Sequence, residues 1–127
     1  MSDDRYFSFH AETYTSGRPG RALQRVRSNN FVIDDPARAG YDGPGEAPNA
    51  GEYFLSGITG CAALMMERIA RADELPLSDV HVSMDADLDT EADHEGPPVF
   101  ARARMHFAFA GTSEEQAAQL VATFKER

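Results

Sequence analysis

The sequence holds a single cysteine, Cys61, so no intrachain disulfide framework is available and a reducing compartment suits it. Positive charge is scarce: 12 Lys and Arg stand against 21 Asp and Glu, for a formal net charge of −9. Nucleic-acid backbones and anionic membranes are met by clustered Lys and Arg, so neither is expected as a partner, and the negative balance serves solubility. Long apolar runs are also lacking. Between Ala50 and Met66 the one charge is Glu52, but Ser56, Gly57, Thr59 and Gly60 dilute the stretch, and it falls short of the ~20 apolar residues a membrane span needs. The start, Met1-Ser2-Asp3-Asp4-Arg5, is polar and acidic with no apolar signal segment behind it, so a cytoplasmic location is expected. With 127 residues, 42% of them hydrophobic, and no repeat or linker, residues 1–127 are read as a single domain with one core.

The patterning predicts an α+β fold. Tyr6–Thr15 alternates as a strand, with Phe7, Phe9 and Ala11 on one face and Ser8, His10 and Glu12 on the other. Ser16-Gly17-Arg18-Pro19-Gly20 is a turn, Arg21–Ser28 a basic strand, Asn29-Asn30 a second turn, and Phe31-Val32-Ile33 a short apolar strand. These make a small antiparallel meander. Pro36, Gly40, Gly43, Pro44, Gly45 and Pro48 then mark an irregular loop, and long loops in small domains are usually functional or interfacial.

A central helix follows. Asn49 is a good N-cap with Glu52 three positions on, and the helix is expected to run to about Ala72, buried inside the protein. Asp79–Asp89 alternates, Val80, Val82, Met84, Ala86 and Leu88 against Asp79, His81, Ser83, Asp85 and Asp87. Val99–Phe109 does the same, with Ala101, Ala103, Met105 and Phe107 inward and Arg102, Arg104 and His106 outward. Their acidic and basic outer faces make them natural hairpin partners. A capping box at Thr112–Glu115 opens a last helix whose inner face is Ala117, Leu120, Val121 and Phe124.

Cys61 lies in mid-helix. Cysteine chemistry needs the thiolate, and a free thiol near pKa 8.5 must be tuned by a cation or a helix dipole to supply it at neutral pH. The dipole fades within the first turn, so a reactive Cys61 needs an arginine from elsewhere. On spacing alone, a lone cysteine in an apolar helix is more often a small inert core residue.

The segment from Ala47 to Cys61, APNAGEYFLSGITGC, resembles the signature of the OsmC/Ohr family: a Pro-containing loop, a Glu, a run of apolar and small residues, and a Cys nine positions after the Glu. Phe31-Val32-Ile33-Asp34-Asp35-Pro36 is similar to the family's strand leading into the loop. Gly17-Arg18-Pro19-Gly20 resembles the turn that carries the reactive arginine in the organic-hydroperoxide-resistance branch. The resemblance covers nearly the whole chain. It implies antiparallel sheets packed around a long buried helix in an intertwined homodimer.

It also implies a thiol-dependent peroxidase acting on organic hydroperoxides. Cys61 would attack the peroxide, Arg18 would stabilise the thiolate and orient the substrate, and Glu52 would hold the arginine. Tyr53, Phe54 and Met65 would wall the substrate pocket. No cofactor is expected, and a dithiol or lipoylated protein would be the reductant. The alternative is a non-catalytic OsmC-like dimer that binds a small molecule or serves in stress, with Cys61 structural.

The family's second cysteine, near the end of its last long helix, has no counterpart here. The chain is expected to stop short of the family domain's C-terminal end, or else to lack a resolving cysteine. Arg21, Arg25 and above all Arg27 are rivals to Arg18, and Glu52 has a full alternative role as its helix's capping residue. Nine residues on a helix amount to two and a half turns at ~3.6 residues each, which places Glu52 and Cys61 on opposite sides and ~13 Å apart along the axis. Glu52 is therefore expected to act through an arginine, or on the partner subunit's cysteine. The acidic run Asp85, Asp87, Asp89, Glu91, Asp93, His94 and Glu95 lacks the glycine pivot of a calcium loop, and His81 with His106 across the hairpin is weak evidence for a metal, so none is expected.

Overall fold

Register decides where the first sheet begins and ends. The computed structural model describes residues 5–89 and 100–126, so Glu91, Asp93, His94 and Glu95 of the acidic run, the start of the strand expected from Val99 and the end of the chain lie outside the described residues. Strand β1 spans Glu12–Thr15, β2 spans Arg21–Val26 and β3 spans Asn29–Asp34, in the antiparallel order β1-β2-β3. The first strand is shorter than its alternation predicts. Glu12 already pairs with Arg25 near the end of β2, and the chain turns at Arg27 and Ser28, so earlier residues have almost nothing opposite them. Tyr6, Phe7 and Phe9 stand exposed as a result.

The turn between β2 and β3 falls at Arg27-Ser28 rather than Asn29-Asn30, with Arg27 in the left-handed region at φ 58°. The earlier turn lets Ala22 pair with Ile33 and Leu23 with Val32. A turn at the two asparagines would slip this register and set the apolar residues of β3 against the basic end of β2.

The chain divides into two compact units, Met1–Tyr53 and Phe54–Arg127. The first holds β1 to β3, a short 3₁₀ helix at Pro36–Ala39, and the start of helix α1 (Ala50–Ala72). That start is fixed as the sequence predicts. The Asn49 side chain accepts from the Glu52 N–H at 2.8 Å, and the Glu52 carboxylate accepts from the Asn49 N–H at 3.0 Å. Tyr53 then anchors the first turn, its hydroxyl donating to the Val32 carbonyl at 2.8 Å and its ring 5.1 Å from that of Phe31.

In the second unit, β4 (Asp79–Leu88) and β5 (Phe100–Ala110) form an antiparallel hairpin, and α2 (Glu114–Lys125) closes it. The charged faces meet as expected: Asp87 lies opposite Arg102, joined at 2.8 Å, and Asp85 lies opposite Arg104. Ala101 and Ala103, expected inward, are exposed near the Leu88–Phe100 end of the hairpin, where the register shifts between Asp87 and Leu88. Helix α2 is capped by Ser113 with Gln116, one residue later than the Thr112–Glu115 box, because the serine hydroxyl and glutamine amide complete both bonds. The core is Met66, Ile69 and Ala70 of α1 against Leu120 of α2, flanked by Val80, Phe107, Phe109, Val121 and Phe124.

The expectation of a helix buried all round needs correction for the single chain. Ala62, Met66, Ile69 and Ala70 of α1 are buried, but Phe54, Gly57, Gly60, Cys61 and Leu64 form an exposed, mostly apolar stripe. The hairpin and α2 pack on the side of the helix that carries Met66, Ile69 and Ala70.

Candidate active site

Cys61 belongs to the exposed stripe, not to the core. Its neighbour Ala62 is buried, and one step of ~100° around the helix carries Cys61 out of the packed face. The thiol is open to solvent in the isolated chain and has no hydrogen-bond or ion-pair partner among the described residues of its own unit. Phe54 shares the stripe and stacks on Phe100 at 6.2 Å between ring centroids. Met65 instead packs against the core cluster.

Arg18 lies in the turn between β1 and β2. Its backbone is held at both groups: its N–H donates to the Ser16 hydroxyl at 3.1 Å, and its carbonyl accepts from the Arg21 N–H at 3.1 Å. Arg18 lines a depression of about 430 Å³ with Asp34, Tyr41, Asp42 and Glu46. An adjoining depression of about 570 Å³ shares Asp34, Pro36, Pro44, Gly45 and Glu46 with the first and extends to Asn49 and Glu52. Within the first unit, then, Arg18 and Glu52 line two depressions that have five lining residues in common.

Arg27 sits at the other end of β2. Five strand steps of ~3.3 Å put about 17 Å between the two ends. Arg27 lines a separate groove with Phe7, Phe9, His10 and Arg25, so no single point is served by both arginines. Arg21, another rival, is spent internally: its Nη2 donates to Asp34 at 2.9 Å and lies 3.4 Å from Glu46. The hydrogen bond from Arg21 holds the Asp34 carboxyl below the usual carboxylate range, helped by the Glu46 N–H at 2.8 Å and opposed by burial. The same bond raises the Arg21 guanidinium above its ordinary value.

The Arg21–Asp34–Glu46 cluster was not foreseen from the sequence. Its signal is an aspartate closing the apolar run Phe31-Val32-Ile33, a place where an ionised side chain is costly unless paired. Among the described residues no group of three or more His, Cys, Asp or Glu is placed to hold a metal. His81 lies opposite Ala108 and His106 opposite Ser83, so the two histidines are diagonal neighbours rather than a facing pair. No helix among the described residues is long and apolar enough to cross a membrane.

The family model described as OsmC-like protein matches residues 43–127, which take in α1 with Glu52 and Cys61, the β4–β5 hairpin and α2. The chain belongs to the OsmC-like protein family. Arg18 and its turn precede the matched residues. Solved OsmC-like structures carry the likeness across nearly the whole chain. An OsmC-like protein from Mycoplasma pneumoniae superposes with a TM-score of 0.77 at 11% identity, covering 95% of this chain and 82% of its own. An organic hydroperoxide resistance protein OsmC from Legionella pneumophila gives a TM-score of 0.73 at 22% identity, covering 94% and 83%. An OsmC-like protein from Vibrio cholerae gives 0.73 at 12%, covering 95% and 89%. At such identities the likeness is one of fold, and it bears out the α+β architecture of antiparallel sheets and a central helix. A search of curated proteins gives no significant match.

Proposed function

We propose that this OsmC-like protein is a thiol-dependent peroxidase that reduces organic hydroperoxides, with a redox role in stress, in a reducing, cytoplasmic setting. The observation that carries the reading is the exposed thiol of Cys61 on the helix that Glu52 caps, together with the shared wall, Asp34, Pro36, Pro44, Gly45 and Glu46, of the two depressions lined by Arg18 and by Glu52. The organic hydroperoxide resistance protein from Legionella pneumophila, which shares the fold, points to the same chemistry.

The Cys61 thiolate attacks the distal oxygen of ROOH. The S–O bond forms as the O–O bond breaks, the alkoxide leaves and takes a proton as ROH, and the cysteine is oxidised to a sulfenic acid. A dithiol, such as that of a lipoylated protein, returns two electrons and two protons, restoring the thiol and releasing water. Arg18 favours the thiolate and orients the peroxide, and Glu52 orients Arg18. The apolar stripe around Cys61, with Phe54 and Leu64 exposed, is covered by a second copy of the chain in a homodimer. Phe54 and Leu64 then wall the approach, in place of the expected Tyr53 and Met65, and favour bulky organic peroxides over hydrogen peroxide.

Arg18→Ala is expected to slow peroxide attack roughly a hundredfold, the usual cost of losing a preorganised donor to developing charge. Arg27→Ala should leave the rate within about twofold, as a surface change remote from the site does. Stopped-flow rates for cumene hydroperoxide check both. The reverse pattern would reassign the arginine. No effect from either would remove cationic activation and favour a small-molecule-binding dimer with a structural cysteine.

A further inference from the structure

Asp34 is the buried charged residue among those described, 6% exposed at the end of β3. One Oδ atom accepts from Arg21 Nη2 at 2.9 Å and from the Glu46 N–H at 2.8 Å, while the Asp34 N–H donates to the Pro48 carbonyl at 3.1 Å. A single residue thus ties β2, the proline- and glycine-rich loop and the approach to α1. Gly45 closes over it so tightly that a Cβ there would lie 2.7 Å from the Asp34 carbonyl oxygen and 2.8 Å from its carboxylate. Arg21, the residue so gripped, also closes the Arg18 turn. Its N–H bonds the Arg18 carbonyl at 3.1 Å, and its carbonyl accepts from the Ser16 hydroxyl at 2.8 Å. From the other side, the Asp35 N–H donates to the Gly20 carbonyl at 2.7 Å. The backbone is therefore fixed before and after Arg18, whose own guanidinium has no ion-pair partner among the described residues of its unit.

We propose that Asp34 is a positioning residue that holds the Arg18 turn through Arg21 and the 36–48 loop, a role that rests on the peroxidase reading of Arg18. Without the Asp34 carboxylate, Arg21 keeps only the looser contact to Glu46, and both its side chain and the Glu46 N–H lose their common acceptor. The Arg18 turn then loses its inner fastening, and Arg18 loses a facing charge in the depression that the two residues line.

The test crosses Asp34→Ala and Asp34→Asn with Arg18→Ala, reading two quantities: hydrogen exchange of the Arg21, Asp35 and Glu46 amides, and the rate at which the Cys61 thiol consumes cumene hydroperoxide. Asp34→Ala is expected to speed exchange at these amides and to slow the thiol reaction, each by about tenfold, whereas the double variant with Arg18→Ala should be no slower than Arg18→Ala alone. Asp34→Asn keeps one acceptor oxygen but loses the charge that Arg21 pairs with, should show both effects at about threefold, and carries the measurement if the alanine variant does not fold. Unchanged exchange in both Asp34 variants overturns the proposal, and so does a double variant that loses the full Asp34→Ala factor on top of the Arg18→Ala loss. If Arg18→Ala leaves the thiol reaction unchanged, the peroxidase reading fails, while the exchange rates still decide whether Asp34 holds the turn.

Discussion

Cys61→Ser should reduce organic-hydroperoxide consumption to the background rate while leaving the fold intact. The thiol lies on the exposed stripe of α1 and makes no contribution to the Met66–Leu120 core, so exchanging sulfur for oxygen costs little in packing. The chemistry has no substitute. A serine hydroxyl is a far weaker nucleophile than a thiolate and cannot pass through a sulfenic acid, and the sequence has no second cysteine to take over. The expected loss is at least about a thousandfold in turnover with cumene hydroperoxide and a dithiol reductant, at an unchanged denaturation midpoint. An equal loss of stability would instead place Cys61 among the packing residues, the role a mid-helix cysteine most often has.

The other large effect is on stability. Met66→Ala is expected to destabilise the protein by about 3 kcal/mol, within the range for emptying a well-packed core position. Met66 is fully buried and packs in one cluster with Ile69, Ala70 and Leu120, so its loss leaves a cavity that the two helices and the hairpin cannot all move to fill. Leu120→Ala should cost a similar amount. The two together should fall short of their sum, since residues in one cluster share the cavity. Urea unfolding followed by far-ultraviolet circular dichroism checks this. For a domain whose total stability is of the order of 5–15 kcal/mol, either change alone consumes a large share.

Which parts of this were legible beforehand follows from the range of the interactions involved. The start of α1 is a local device, two reciprocal bonds between Asn49 and Glu52, and it could be read from two residues three apart. The β4–β5 hairpin announced itself through alternation and through complementary charge on its outer faces, and the Asp87–Arg102 pair forms as that pattern predicts. The first sheet was harder. Alternation in Tyr6–Ala11 is the pattern of a strand, but a strand needs a partner, and β2 ends too soon to supply one. The placement of the Arg27-Ser28 turn depended on a register between Leu23 and Val32 that turn chemistry at Asn29-Asn30 does not reveal.

The candidate residues could be named from the sequence, but not the contacts around them. Cys61, Arg18 and Glu52 could be named from the segments that resemble the OsmC/Ohr signature. Arg21 could be set aside as a rival only once it was seen paired with Asp34, thirteen residues away in sequence, with Glu46 reaching the same carboxylate from the loop. The exposure of Cys61 depended on which face of α1 the hairpin and α2 cover, and a helix rich in apolar residues on most sides does not declare that face.

The central claim, that Cys61 is a peroxidatic thiol selective for organic hydroperoxides, is tested most directly by a single-turnover stopped-flow titration. Fully reduced protein is mixed with one equivalent of cumene hydroperoxide or of hydrogen peroxide, with loss of free thiol and formation of sulfenic acid followed together. The account predicts stoichiometric conversion of Cys61 to a sulfenic acid by cumene hydroperoxide, at a rate at least about tenfold above that for hydrogen peroxide, the discrimination expected when apolar walls take up a bulky substituent. A thiol that reacts with both peroxides at the slow rate of free cysteine would contradict it.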